Sequence, residues 1–197
     1  MTNHKLQINP KQTSNLKTIS CSGFTLVEMI VIISIIGFMS VTLLSNQNKS
    51  SDRRKLMLET RRLSQDFRKV QNFAMSSTTY DCSGSAKAVP FGIILDTDVT
   101  DRYLIVADCD NNKIYNAGSD PIISTVVFNS VKLDLLNPKK AGSNTLEVFF
   151  VPPLPSTAIN EDESNTASAT IRLKSLRDNS LKLIIFINSK GVINAQQ

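Results

Sequence analysis

Histidine, tryptophan and glycine-rich loops are almost absent from this chain. Of its 197 residues one is histidine, His4, and none is tryptophan. His4 lies in the polar stretch 1–23, and the rest of the chain, which lacks histidine, cannot run a Ser-His-Asp or Cys-His mechanism. Three cysteines and one distant histidine favour no structural zinc site. No GxxxxGK[ST] loop is present to bind a phosphate, so we expect neither an enzyme nor a cofactor.

An excess of charge is also lacking outside the first 23 residues. The formal net charge is +5, of which residues 1–23 hold three lysines and no acid: Lys5, Lys11 and Lys17. The rest of the chain carries 19 basic and 17 acidic side chains, a net charge of +2. This balance gives no strong electrostatic case for nucleic acid as a partner, although it does not exclude one.

One long apolar run follows the polar start. Residues 24–44 read FTLVEMIVIISIIGFMSVTLL, with a single charge at Glu28. As a helix this run is about 31 Å long, which matches a bilayer core and predicts a membrane-spanning helix. A secretory signal would have its cleavage site after the apolar run. A lipoprotein leader would have the apolar run before its cysteine, but here Cys21 precedes the run, so the order does not fit. A plain membrane anchor remains an alternative, but it does not explain an acid near the start of the segment.

The residues at this boundary resemble a known processing site. Ser22-Gly23-Phe24-Thr25-Leu26-Val27-Glu28, followed by an apolar helix, is similar to the prepilin cleavage site of type IV pilins and type II secretion pseudopilins. The resemblance implies cleavage after Gly23 and N-methylation of the new terminus, Phe24. Glu28 would guide assembly, since it lies one helical turn from the new ammonium group, and a charge buried without a partner is very costly. The alternative is that Glu28 only reaches towards the interface.

The same resemblance implies an α+β chain with the pilin fold. Its long N-terminal helix would span a membrane in its first half and pack on an antiparallel β-sheet head. The expected segments are a leader at 1–23, a transmembrane helix at 24–44, an amphipathic helix at 45–79 and a β-rich head at 80–197. The protein would be a single-pass protein of the cytoplasmic (inner) membrane with an extracytoplasmic head, and would then enter a pilus or pseudopilus.

Partners follow from the same resemblance, and a disulfide follows from the number of cysteines that would remain after cleavage. The partners would be a prepilin peptidase, other pilins or pseudopilins, an inner-membrane assembly platform and membrane lipid. Loss of the leader would remove Cys21 and leave Cys82 and Cys109, which can pair in an oxidising compartment. We therefore expect a Cys82–Cys109 disulfide, with two unpaired thiols in a cytosolic protein as the alternative.

The remaining chain changes from a helical to a strand pattern. A helix face is predicted to continue to about Ser76 by apolar residues at helical intervals: Leu56, Leu63, Phe67, Val70 and Ala74. The opposite face is mainly basic, which favours a solvated surface, pairing with acids of adjacent subunits, or lipid head groups. Alternating patterns predict antiparallel strands at Pro90–Asp96, Tyr103–Asp108, Ile122–Phe128, Val131–Leu135, Thr145–Val151, Ala169–Lys174 and Leu181–Asn188, with a last short strand after a turn at Gly191. Residues 152–168 are predicted to form a long exposed loop.

A weak calcium candidate lies within this region. Asp108, Asp110 and Asn112 resemble the opening of a calcium loop. Lys113 replaces the glycine and Ser119 the terminal acid of an EF-hand, so that motif is excluded. The pattern favours a hairpin turn, with calcium binding as the weaker alternative and no metal as the expectation.

The sequence therefore favours a structural subunit, a minor pilin or pseudopilin, of a type IV pilus or of a filament like that of type II secretion. Two alternatives stay open. One is a competence-type pilin involved in DNA uptake, and the other is a single-pass anchored extracellular domain with no filament role.

Overall fold

The computed structural model describes residues 23–152, 156–164 and 166–196, and within them the side chains of residues 42–48 are outside the described set. Of the expected leader only Gly23 is described, so His4 and Cys21 lie outside it. The chain divides into two compact units, Met1–Leu43 and Leu44–Gln197.

One helix, α1, occupies Leu26–Met75. No proline interrupts it, and Gly37 is its only glycine, so its interior lacks the residues that most disfavour a helix. It ends before the expected limit at residue 79, because Ser77 takes a left-handed conformation with φ of 48° and Thr79 begins a strand. Within the second unit the predicted apolar face is confirmed, since its residues are buried at 1% exposure or less: Leu56, Leu63, Phe67, Val70 and Ala74.

Among the residues that the structure describes, eleven strands follow the helix. In chain order they are β1 (Thr79–Cys82), β2 (Ser85–Ala88), β3 (Phe91–Asp96), β4 (Arg102–Ala107), β5 (Ile122–Val127), β6 (Val131–Asn137), β7 (Thr145–Val151), β8 (Ser156–Ile159), β9 (Ser168–Ser175), β10 (Lys182–Asn188) and β11 (Ile193–Gln196). All their pairings are antiparallel.

The strands form three sheets. β1 and β2 make a hairpin, β5-β4-β3-β7-β8 make a five-stranded sheet, and β11-β10-β9-β6 make a four-stranded sheet. The expectation of a single antiparallel sheet is therefore wrong. β6 pairs with β9 and not with β7, and Pro138 directly after β6 has no N–H with which to continue a ladder.

The core of the second unit joins α1 to both larger sheets. Phe67 and Val70 belong to one buried cluster with residues of the five-stranded sheet, such as Ile93, and of the four-stranded sheet, such as Ile171. Each fully buried apolar side chain of this size contributes about 1.5–3 kcal/mol. A polar contact reinforces the packing, since the Tyr103 hydroxyl donates a hydrogen bond to Asp66 on α1 at 2.5 Å.

The other face of the five-stranded sheet carries a smaller core. Alternate residues of β3, β4, β7 and β8 form it: Ile94, Val106, Phe149 and Ala158. Tyr115, from the β4–β5 loop, packs against this cluster. Gly92 leaves room for Phe149, because a Cβ at Gly92 would lie 2.5 Å from the ring. The β4–β5 loop is therefore held on the face of the sheet opposite α1.

The expected membrane-spanning segment is contradicted. Among the residues that the structure describes, no helix is long and apolar enough to cross a membrane. The transmembrane helix at 24–44, the pilin fold that included it, and the single-pass inner-membrane location with an outer head are therefore wrong.

Two strand predictions also need correction. The expected exposed loop at 152–168 contains β8, of which three residues are buried. The hairpin β1–β2 was not expected, because residues 79–88 alternate too little in polarity and their side chains are mostly exposed. The short last strand after Gly191 is confirmed as β11.

Candidate processing site and aspartate loop

The predicted cleavage bond lies just outside the helix. Gly23 and Phe24 are exposed, have no regular secondary structure, and lie three and two positions before the first helical residue, Leu26. A Cβ built on Gly23 would meet nothing within 4 Å. The chain's own packing therefore does not require glycine at this position, and any such requirement must come from a protein that binds the segment.

Glu28 lies in the first turn of α1 and is exposed. Its backbone N–H donates a hydrogen bond to the Thr25 hydroxyl at 3.2 Å. Thr25 is thus the N-cap residue and Glu28 the third helical residue, the spacing of a capping box. An acid at this position is also favoured by the positive end of the helix dipole. Sequence reasoning missed Thr25, although the Thr-x-x-Glu spacing is a usable signal for a helix start.

The second part of α1 exposes only basic charges. Between residues 49 and 69 all three acids turn inward, since Asp52 is buried and Glu59 and Asp66 are partly buried. The exposed charged side chains of the same stretch are Lys49, Arg53, Arg54, Arg61, Arg62, Arg68 and Lys69. The sequence predicted a basic excess on this face, whereas the structure gives a surface with no exposed acid at all.

The expected disulfide between Cys82 and Cys109 is present and is thus confirmed. Cys82 ends β1, and Cys109 is the second residue of the loop that connects β4 to β5. A cross-link with a sequence separation of 27 stabilises a protein by about 3–4 kcal/mol in the chain-entropy model. It fixes the β1–β2 hairpin to the loop that contains the calcium candidate.

Two buried aspartates organise this loop through backbone N–H groups. Asp108 is fully buried, and its carboxylate accepts hydrogen bonds from the N–H of Asn112 at 3.2 Å and of Lys113 at 2.7 Å. Asp120, exposed by 3%, accepts the N–H of Cys109 at 2.9 Å and of Asn116 at 2.8 Å. Both carboxylates therefore accept hydrogen bonds from backbone N–H groups of the loop, which in a regular strand would bond to the backbone of a neighbouring strand.

Asp110 completes a group of three carboxylates. One oxygen each of Asp108, Asp110 and Asp120 lies within 4.8 Å of the others. Carboxylate oxygens at this spacing are the ligand type that Ca²⁺ prefers. Asn112 does not have the role of a calcium ligand that the sequence suggested. Its side-chain Nδ2 donates a hydrogen bond to the Asp110 carboxylate at 2.9 Å, and its side-chain Oδ1 accepts one from the Ile114 N–H at 2.7 Å.

Sequence reasoning therefore found two of the three carboxylates. Asp120 was missed because it follows Asp110 after a gap of ten positions, and only the folded loop brings the two together. A sequence motif with closely spaced ligands, such as a calcium loop, cannot reveal a carboxylate at the far end of the loop that only folding brings close.

The crowding of these acids changes their protonation. Burial raises the pKa of Asp108 to about 6, with a hydrogen bond to Asp110 adding to the effect. For Asp110, burial alone acts to raise the pKa, but hydrogen bonds from Asp108, Ser119 and Asn116 together lower it. Asp108 is thus about half protonated at pH 6, where Asp110, whose pKa is lowered, is ionised.

In comparisons with known proteins, the chain matches no protein-family model, no curated protein and no solved structure.

Proposed function

We propose that this chain is a structural subunit of a pilin-type filament, a minor pilin or pseudopilin, and that a prepilin peptidase releases it by cleavage between Gly23 and Phe24. The observation that carries the proposal is the position of this bond. It is exposed and non-helical, and it stands directly before a capped apolar helix with an acid in its first turn.

The exposed apolar surface of α1 supports an assembly role. Every residue from Gly23 to Val41 is exposed, and large side chains occur all round the helix, including Ile33 at 64%, Ile36 at 58% and Phe38 at 76%. A helix that is apolar on all sides is stable only when other groups cover it. We propose that equivalent helices of neighbouring subunits provide this cover.

Cleavage would give Glu28 a function beyond helix capping. The new ammonium group at Phe24 lies one turn before Glu28, so a bundle of such helices would contain ammonium groups and carboxylates at matching heights. Once these groups are removed from water, a carboxylate that lacks a cation is costly. The pairing would therefore favour one register of an incoming subunit over others.

The test is to express the full chain with and without a prepilin peptidase and to measure the mass of its N-terminal peptide. We expect a mature chain that begins at N-methylated Phe24. Gly23→Val should abolish cleavage and leave the fold intact, because nothing in the chain lies against that position.

The matched control is Gly118→Val, at an exposed glycine whose Cβ would also meet nothing within 4 Å. This variant should be cleaved like the parent chain. An intact N-terminus in the presence of active peptidase, or equal cleavage of Gly23→Val and the parent, would contradict the proposal.

A further inference from the structure

Strand β5 has an open side. It is the terminal strand of the five-stranded sheet and, among the described strands, pairs only with β4. Five of its six residues are exposed, and only Val126 reaches the core. An edge strand of this kind presents a row of backbone N–H and C=O groups on which another strand can form.

The composition of β5 suits such pairing. Its sequence, IISTVV, has no charge, proline or glycine, and five of the six residues are β-branched. Ile122, Ile123 and Val127 are exposed by 47%, 39% and 54%. A six-residue segment with high β-propensity and no charge is the typical signature of a strand that adds to another.

Apart from β5, the end strands of the two larger sheets are charged, mostly buried or short. β6 bears Lys132 and Asp134 and a register shift next to the latter. The end strand β8 is mostly buried, and its Thr157 N–H donates to the Ser189 carbonyl. β11 has only four residues, three of them exposed. β5 has a register shift near Ile123, but it carries none of the charges that usually prevent edge-to-edge pairing.

A cationic side chain lies beside this edge. Arg62, on α1, donates a hydrogen bond from Nη1 to the Val127 carbonyl at 3.4 Å. Its side chain is 50% exposed, and its ion pair with Glu59 is long, at 3.7 Å. Arg62 belongs to the stretch of α1 that exposes seven cations and no acid. The edge of β5 thus adjoins one half-exposed cation, Arg62, on a stretch of α1 that exposes no acid.

The charge decides which partner fits. Antiparallel pairing of β5 with β5 of a second copy would place the uncharged Ile122 end of one strand opposite the Val127 end where Arg62 lies, and so would offer Arg62 no acid from that strand. A segment that carries carboxylates next to a short apolar strand would instead match both the open backbone and Arg62.

We propose that β5 and Arg62 form a docking surface for an extended acidic segment of a different protein, which adds a sixth strand to the five-stranded sheet. The inference goes beyond the proposed function and does not depend on cleavage at Gly23. Backbone hydrogen bonds to β5 hold the segment, while Arg62 selects its acidic residues.

The test uses two synthetic peptides and the uncleaved full chain in detergent. Each peptide has four β-branched residues, followed by two glutamates in one peptide and by two lysines in the other. Binding is measured by fluorescence anisotropy, and hydrogen exchange of the β5 amides reports strand addition. We expect the glutamate peptide to bind at least tenfold more tightly than the lysine peptide and to slow exchange in β5.

Two variants with matched controls locate the surface. Thr125→Glu places a charge on the edge and should weaken binding at least tenfold, whereas Leu176→Glu, at another exposed position, should not. Arg62→Gln should remove the preference for glutamate, whereas Arg177→Gln should keep it. If Thr125→Glu fails to fold, the Arg62→Gln result and the exchange data decide.

Three results would overturn the inference. Equal binding of both peptides would exclude charge selection by Arg62. Unchanged exchange in β5 would exclude strand addition. A dimer of the chain alone in sedimentation, with protected β5 amides, would assign the edge to a second copy.

Discussion

Two stretches of α1 differ in what covers their apolar side chains. From Leu26 to Val41 every side chain is exposed, whereas the stretch from Lys49 to Met75 buries one face in the core of the second unit. Both stretches are helical without a proline. Because most helical stability in proteins comes from the packing of an apolar face and not from propensity, the two stretches must depend on different partners.

The comparison separates folding from assembly. The later stretch is stabilised by the chain's own sheets, so its substitutions should change the free energy of unfolding. The earlier stretch exposes every side chain that is described in it, so its substitutions should act mainly on assembly. Three measurements can break or sharpen this distinction.

The largest effect is expected from a phenylalanine pair on the same helix. Phe67 is fully buried, and Phe38 is 76% exposed. Phe67→Ala should lower the free energy of unfolding by about 3–5 kcal/mol, since it leaves a cavity in the core. Phe38→Ala should change it by less than about 0.5 kcal/mol. Denaturant unfolding of the full chain in detergent measures both, and equal losses would show that the two stretches do not differ.

A smaller effect is expected from the proton on Asp108. Because its pKa is raised from 3.8 to about 6 in the folded chain, the folded state binds the proton more tightly than the unfolded state does. The protonated Asp108 therefore contributes its full stabilisation of the folded state below about pH 4, and this contribution is lost as the pH rises through 6. The change is on the order of 1–3 kcal/mol. Asp110, with its lowered pKa, acts in the opposite sense and at lower pH.

Thermal unfolding between pH 4 and pH 8 tests this. Asp108→Asn should flatten the pH dependence, because the side chain can no longer ionise. Asp101→Asn, at an exposed acid in the β3–β4 turn, should leave it unchanged. Since Asp108 lies in the second unit, the pH dependence should appear in the thermal unfolding of that unit. A parent chain that gains stability from pH 4 to pH 7 would show that the sign is wrong.

The sequence predicted those parts of the fold that local pattern controls. Apolar residues at helical spacing identified Leu63, Phe67 and Val70 as buried, and alternation located seven of the strands. Sequence patterns failed where contacts between distant parts of the chain determine the structure. β8 was missed because its residues follow three prolines and are buried only through pairing with β7. The division into two sheets was missed because it depends on which strand β6 pairs with.

The site shows the same limit. The Cys82–Cys109 bond followed from counting cysteines, whereas Asp120 was invisible because it joins Asp108 only through a folded loop. The membrane span was predicted from the length of an apolar run, and that prediction is contradicted for the described residues. An apolar run indicates that a helix needs cover, but it does not identify what covers it.

The smallest effect is expected at the start of the helix. Thr25 accepts the Glu28 N–H through its hydroxyl, so Thr25→Ala should cost about 1 kcal/mol of local helix stability. That cost corresponds to roughly fivefold faster amide exchange in the first turns of α1. Thr25→Ser keeps the hydroxyl and should exchange like the parent. Exchange near Phe67 should not change in either variant, because that stretch is held by the core. If alanine and serine gave the same rates, the cap would contribute nothing. If Thr25→Ala also sped exchange near Phe67, the two stretches of α1 would be one cooperative unit, and the distinction between folding and assembly would fail.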